Sequence, residues 1–276
     1  MKQVLKTMLE NVRAKSPLVH NITNYVTVND VANVLLAAGG SPIMSDDADD
    51  VEDITSICGG LNINIGTLNK NTIPSMFLAG KKANALGHIV LLDPVGAGAS
   101  RLRTDTANRL MREVRFDAVR GNISEIKTLC TGSGSTKGVD ADAVDAVTEA
   151  NLDDGVQLVK TFAAQTGCII AVTGAIDLVS DVERCWCIRN GRAEMSRITG
   201  TGCQLSALMT AFLVANPGHK LKAAAAAVCM MGLAGEIGWA NMQPGDGNST
   251  YRNRIIDAIF NMTGDALEEG AKYELR

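Results

Sequence analysis

The chain runs to 276 residues, with 26 Lys and Arg against 30 Asp and Glu, a formal net charge of −4. That balance speaks against a nucleic-acid-binding surface, and a hydrophobic content of 46% excludes disorder as the dominant state. Only 4% of residues are aromatic, which leaves few platforms for stacking bases and points to small-molecule partners.

In chain order, residues 1–13 set Val4, Leu5, Met8, Leu9 and Val12 among charges at helical spacing, which predicts an amphipathic helix and not a signal peptide. Apolar runs then alternate with helical patterns, the rhythm of βαβ units and a largely parallel sheet. Strands are predicted at 18–22, 42–44, 61–65, 89–92, 118–119 and 168–173, several almost wholly apolar, as strands covered on both faces should be. Helices at 29–38 and 71–86 end on Gly39-Gly40 and Gly87, the stop a helix favours. The polar stretch 130–154, with Gly132-Ser133-Gly134-Ser135, predicts a mobile loop followed by a short helix. Strands at 178–180, 185–188 and 193–196 are expected to be antiparallel, the last two joined in a hairpin at Asn190-Gly191. Helices follow at 201–215, 221–239 and 249–270, and the longest uninterrupted apolar run, residues 223–235, is short for a bilayer span. With no repeat and no linker, residues 1–276 read as a single α/β domain: a mostly parallel sheet with helices on both faces and antiparallel strands at one edge. The seven cysteines are odd in number and several lie in apolar runs, which predicts reduced thiols and a cytoplasmic compartment.

Ligands of open α/β sheets collect beyond the carboxyl ends of the strands. There Asp93 precedes the small-residue turn Pro94-Val95-Gly96-Ala97-Gly98, where a carboxylate either holds a cation near a phosphate or caps the turn. Asn122 and Glu125, three apart at the start of a helix, either organise a hydrated metal or form a capping box, and the spacing leaves both open. Arg120 adds a fixed cation. The run Gly200-Thr201-Gly202-Cys203 opens an apolar helix, so its backbone N–H groups and the helix dipole make an anion hole. It is neither a P-loop nor a dinucleotide fingerprint. Cys203 sits where such a helix is expected to lower a thiol pKa. Of the three histidines, only His20, beside Asn21 and Asn24, is a candidate site neighbour.

Taken together, His20-Asn21-Ile22-Thr23-Asn24, Ser41-Pro42-Ile43-Met44, Leu92-Asp93-Pro94-Val95-Gly96-Ala97-Gly98, Arg120-Gly121-Asn122-Ile123-Ser124-Glu125, Ala171-Val172-Thr173-Gly174 and Gly200-Thr201-Gly202-Cys203 resemble the hydroxyethylthiazole kinase family, of ribokinase-like fold, over nearly the whole chain. The resemblance implies transfer of the ATP γ-phosphoryl group to the primary hydroxyl of 4-methyl-5-(2-hydroxyethyl)thiazole in thiamine salvage, with Mg²⁺ and a homotrimer whose sites lie at subunit interfaces. It implies that Met44, Gly200 and Asn24 meet the thiazole, that Arg120, Thr173 and Asn122 meet ATP, and that Asp93 and Glu125 organise Mg²⁺. Related sugar kinases carry an Asp as base where this chain has Cys203. A kinase of another small alcohol, such as hydroxymethylpyrimidine or a sugar, and a non-catalytic thiazole or nucleotide sensor are the rival readings.

Overall fold

The computed structural model describes residues 3–131 and 146–276. Nine strands form one sheet in the order β2-β1-β3-β4-β5-β6-β7-β8-β9. β1 (Leu18–Ile22), β2 (Ser41–Met44), β3 (Gly60–Asn64), β4 (Ile89–Asp93), β5 (Ala118–Asn122) and β6 (Ile169–Thr173) are mutually parallel. β7 (Asp177–Ser180), β8 (Cys185–Ile188) and β9 (Tyr273–Leu275) add an antiparallel edge. The expected mixed sheet is therefore present, and the parallel strands place their carboxyl ends along one rim.

Helices cover both faces, and the apolar core divides accordingly. On one face α1 (Val4–Lys15), α2 (Val28–Ala38), α8 (Thr201–Ala215), α9 (Lys220–Ala240) and α10 (Asn248–Asn261) pack Leu9, Val34, Phe212, Met230 and Ile259 into a common cluster. The other face carries α3 (Val51–Ile57), α4 (Thr72–Leu86), α5 (Arg101–Glu113), α6 (Ile123–Thr131) and α7 (Leu152–Thr166), with Leu61, Leu92, Leu110, Ile126 and Val159 at its centre. α2 and α4 end on Gly39 and Gly87 in left-handed conformation, φ 96° and 70°, as expected. α9 is long and apolar enough to cross a membrane by length and composition, extending beyond the run read from sequence. Burial decides its role, because 78% of its most apolar window is covered by the rest of the chain.

Four expectations are corrected. Residues 193–196 are not a strand but part of a 3₁₀ turn, Ala193–Arg197, and Asn190-Gly191 is not a hairpin. β8 instead pairs with β9, Trp186 opposite Leu275, while Glu236 of α9 holds Asn190 and Gly191. The stretch 249–270 is two helices, α10 and α11 (Gly264–Gly270), separated where the Thr263 hydroxyl accepts the Ala266 N–H. β5 runs through Arg120 and Gly121 to Asn122, further than the apolar pair 118–119 suggests. The stretch 130–154 is not loop throughout: Cys130 and Thr131 end α6, residues 152–154 already open α7, which at 15 residues is not the short helix expected, and residues 132–145, including Gly132-Ser133-Gly134-Ser135, lie outside the described residues.

Candidate active site

The carboxyl ends of β3, β4, β5 and β6 and the start of α8 converge on one point. Asp93 ends β4 with no solvent exposure. Its Oδ2 accepts from Asn64 Nδ2 at 2.8 Å and from Ser206 Oγ at 2.8 Å, and lies 3.6 Å from Arg120 Nη1. Its Oδ1 is buried without a hydrogen-bond partner among the described residues. Burial pushes the Asp93 carboxyl above the usual carboxylate range, against the pull of Arg120, Ser206 and Asn64.

Arg120 reaches from β5 across the first turn of α8. Its Nη1 and Nη2 come so close to Gly202 that a Cβ there would stand 2.5 Å from each, so only glycine admits the guanidinium. Nη2 also donates to Thr173 Oγ1 at the end of β6. The N–H groups of a first helical turn have no intrahelical acceptor. At Thr201, Gly202 and Cys203 they share their position with a fixed guanidinium, so helix dipole and side-chain charge favour an anion at the same place. Gly200 precedes the helix with φ 86°, its α-carbon packed against the Thr27 methyl, which leaves no room for a side chain.

Between Asn122 and Glu125 the capping box is realised. Asn122 Oδ1 accepts the Glu125 N–H at 2.8 Å and Glu125 Oε2 accepts the Asn122 N–H at 2.8 Å. Glu125 Oε1 accepts the Gly96 N–H at 2.8 Å, which joins the turn after β4 to α6. Burial, then the nearby charge of Asp93, push the Glu125 carboxyl up to about 7. Among the described residues no three His, Cys, Asp or Glu side chains form a cage for a metal. Two adjacent acids with an unpartnered Asp93 oxygen fit instead a hard cation that keeps water and phosphate oxygens as its other ligands.

Cys203 is buried at the other end of this array. Asn24 Nδ2 donates to Cys203 Sγ at 3.1 Å and to Asn64 Oδ1 at 3.1 Å, while Asn24 Oδ1 accepts from Thr27 N–H and Oγ1. Met44 of β2 packs on the cluster formed by Val19, Val31, Leu35 and Cys203. The thiol pKa, expected to fall at a helix start, is raised: burial dominates, and Asp93 adds to it, against Arg120 and the two amides. His20 stays out of the site. It lies within β1, where its Nε2–H donates to the Ser45 carbonyl at 2.9 Å and its Nδ1 accepts from Thr55 at 2.9 Å. Asn64, Ser206 and Asp177 were not singled out from sequence. The signals were present: Asn62 and Asn64 interrupt an apolar strand at period two, and Ser206 interrupts an apolar helix.

Beyond Arg120 and Thr173 a cavity of about 670 Å³ runs past the start of β7 and the segment after β8 to α9, lined also by Asp177, Asn190, Gly191 and Met231. Asp177 Oδ1 accepts the Gly174 N–H at 2.9 Å, and desolvation pushes its carboxyl up to about 7.

A mostly parallel sheet with a cation and a bare helix start at its carboxyl rim, a buried acid behind them and a cavity alongside defines a small-molecule kinase of the ribokinase-like fold. A pyridoxal kinase from Staphylococcus aureus shares that fold at TM-score 0.55 and 15% identity, over 78% of this chain and 86% of its own. The hydroxyethylthiazole kinase family profile matches residues 9–265. A hydroxyethylthiazole kinase of Clostridium acetobutylicum is 57% identical over 98% of this chain and 99% of its own length. The structure of a hydroxyethylthiazole kinase protein from Pyrococcus horikoshii OT3 superposes at TM-score 0.88 and 32% identity, covering all of both chains. The chain belongs to the hydroxyethylthiazole kinase family and is a phosphotransferase.

Proposed function

We propose that this chain transfers the γ-phosphoryl group of ATP to the primary hydroxyl of 4-methyl-5-(2-hydroxyethyl)thiazole, yielding the monophosphate used in thiamine salvage. The observation that carries this reading is the convergence of Arg120 on Gly202 at the start of α8, beside Asp93 and Cys203. A phosphoryl group seated there meets a fixed cation and free N–H groups, and a hydroxyl beside Cys203 stands at its far side. Phosphoryl transfer passes through a loose transition state, so such preorganised charge carries most of the acceleration.

In this reading Arg120, Thr173 and Asn122 hold the ATP phosphates, and the N–H groups of Gly200, Thr201 and Gly202 form the anion hole. Met44 and Gly200 line the thiazole pocket, and Asn24 reaches substrate through Cys203, which it orients. Asp93 and Glu125 would hold Mg²⁺. When bound there, it would supply charge neutralisation at the phosphates. Because the Cys203 thiol is held protonated, its role is to hold the hydroxyl in line; a proton that leaves late in transfer needs little help from a base.

The active form is proposed to be a cytoplasmic homotrimer of a single domain, residues 1–276, with thiazole sites completed at subunit interfaces. Tyr25 and Val26, 78% and 56% exposed, adjoin Asn24 and give that end of the site an apolar rim for a neighbouring subunit to cover. Mass spectrometry of the protein incubated with ATP, Mg²⁺ and hydroxyethylthiazole tests the reading, with controls lacking metal or thiazole and one offering hydroxymethylpyrimidine. Thiazole monophosphate that appears only with metal is expected. Phosphorylation of the pyrimidine alone would overturn the substrate, and thiazole binding without product would mark a sensor.

A further inference from the structure

The cavity beyond Thr173 carries one carboxylate that phosphate binding does not use. Asp177 opens β7 one position before Leu178, which pairs with Val172, so it stands opposite Thr173. Its Oδ1 is taken by the Gly174 N–H, and its Oδ2 has no protein partner among the described residues. A carboxylate repels the triphosphate and attracts only the donors of a nucleotide, which are the ribose hydroxyls and the adenine 6-amino group.

Position separates these two. Arg120 on β5 contacts Thr173 on β6, and Asp177 is one strand further, about 10 Å from the Arg120 strand at the usual spacing. That is the step from the phosphates to the sugar. Further on, Val228 and Met231 of α9 and Leu205 of α8 line the same cavity and offer an apolar wall to a purine, while Gly232 packs directly against the backbone of Asn190. Phosphates, sugar and base would thus follow one another from Arg120 on β5 past Thr173 and Asp177 to the α9 wall of the cavity. Resting on the ATP reading above, we propose that Asp177 accepts hydrogen bonds from the ribose hydroxyls and makes the site selective for ribonucleoside triphosphates. A hydroxyl donating to Oδ2 also supplies a partner that the ionised carboxylate lacks in the free protein.

Steady-state kinetics with ATP, 2′,3′-dideoxy-ATP and ITP, on the wild type and Asp177→Asn, tests this. Asn keeps an oxygen for the Gly174 N–H and turns the cavity-facing acceptor into a donor. For the wild type, KM for the dideoxynucleotide is expected about 10- to 100-fold above that for ATP, the span of a hydrogen bond to a charged acceptor, with kcat unchanged because the sugar is remote from the transferred group. In Asp177→Asn the two KM values converge through loss of ATP affinity. Equal KM values in the wild type, or a preserved ratio in the variant, would overturn the proposal. So would a variant that relaxes the ATP-to-ITP ratio alone, since the carboxylate would then read the base. Should Asp177→Asn fail to fold, Asp177→Ser, which keeps a hydroxyl for Gly174, takes its place. Calorimetric binding of the same nucleotides separates the two readings: ribose-selective binding by a protein that makes no thiazole phosphate sinks the thiazole assignment and leaves Asp177 in place.

Discussion

Asn24 and Cys203, 179 residues apart in sequence, are joined by a 3.1 Å hydrogen bond from the Asn24 amide to the Cys203 sulfur. The same amide nitrogen donates to Asn64, and Asn64 donates to Asp93, so thiol and buried acid sit at two ends of one polar chain. The thiol is therefore placed by its partners and kept protonated by its surroundings.

A thiol that positions more than it deprotonates is dispensable in part. Cys203→Ala is expected to fold and to retain activity lowered by about 100-fold or less, no more than the low end of general-base contributions. Cys203→Asp is expected to be active as well, since a carboxylate there offers the substrate hydroxyl an acceptor at the same place. Loss of all turnover in both variants, with the wild-type circular dichroism spectrum retained, would show that the sulfur itself is required.

Gly202 is the space that Arg120 occupies. In Gly202→Ala the methyl displaces the end of a flexible side chain, so the fold is expected to survive, helped by the better helix propensity of Ala. The displaced guanidinium loses Thr173 and Asp93, and KM for ATP is expected to rise about tenfold or more, as for a charge-assisted hydrogen bond, with KM for the thiazole little changed. An unchanged KM for ATP, with melting temperature intact, would remove Arg120 from the phosphate site.

What the sequence made legible is what local pattern encodes. Apolar runs of strand length, glycine stops at Gly39 and Gly87, and polar residues at strand ends led to Asp93, Arg120 and the start of α8 without tertiary information. Pairings over long separations were not legible. β8 finds its outer partner at Tyr273–Leu275, nearly ninety residues on, and nothing local in 193–196 signals that it loses the competition. α5 escaped notice because its arginines and threonines outnumber the buried Thr106, Ala107 and Leu110. At Cys203 the local rule was sound but outweighed, since a helix start lowers a thiol pKa less than burial beside Asp93 raises it. Asn122 and Glu125 allowed either a cap or a metal function from spacing alone; the structure realises the cap, which holds the carboxylate beside Asp93.

The metal function of Glu125 has its own test. Glu125→Gln keeps an acceptor for the Gly96 N–H and removes the charge, so the Mg²⁺ concentration giving half-maximal rate is expected to rise about tenfold, the loss of roughly one charge-assisted contact. Superimposable metal titrations of the variant and the wild type would confine Glu125 to its capping box.

Glu125 also predicts how stability follows pH in the metal-free protein. Its carboxyl lies near 7 in the folded chain against 4.5 ordinarily, so between those values the folded chain binds a proton that the unfolded chain releases. Stability from this group is therefore complete below about 4.5 and lost as pH rises to about 7, by an amount on the order of 3 kcal/mol. Gln does not titrate, but its amide turns a donor toward the Asn122 N–H and forfeits one cap bond, a cost of about 1 kcal/mol at any pH. Urea unfolding with chelator present should then find Glu125→Gln less stable than the wild type at pH 4 and as stable or more so at pH 8. A stability difference that stays constant between the two pH values would mean that Glu125 is ionised throughout, and the burial beside Asp93 would have to be relieved by solvent that reaches the carboxylate.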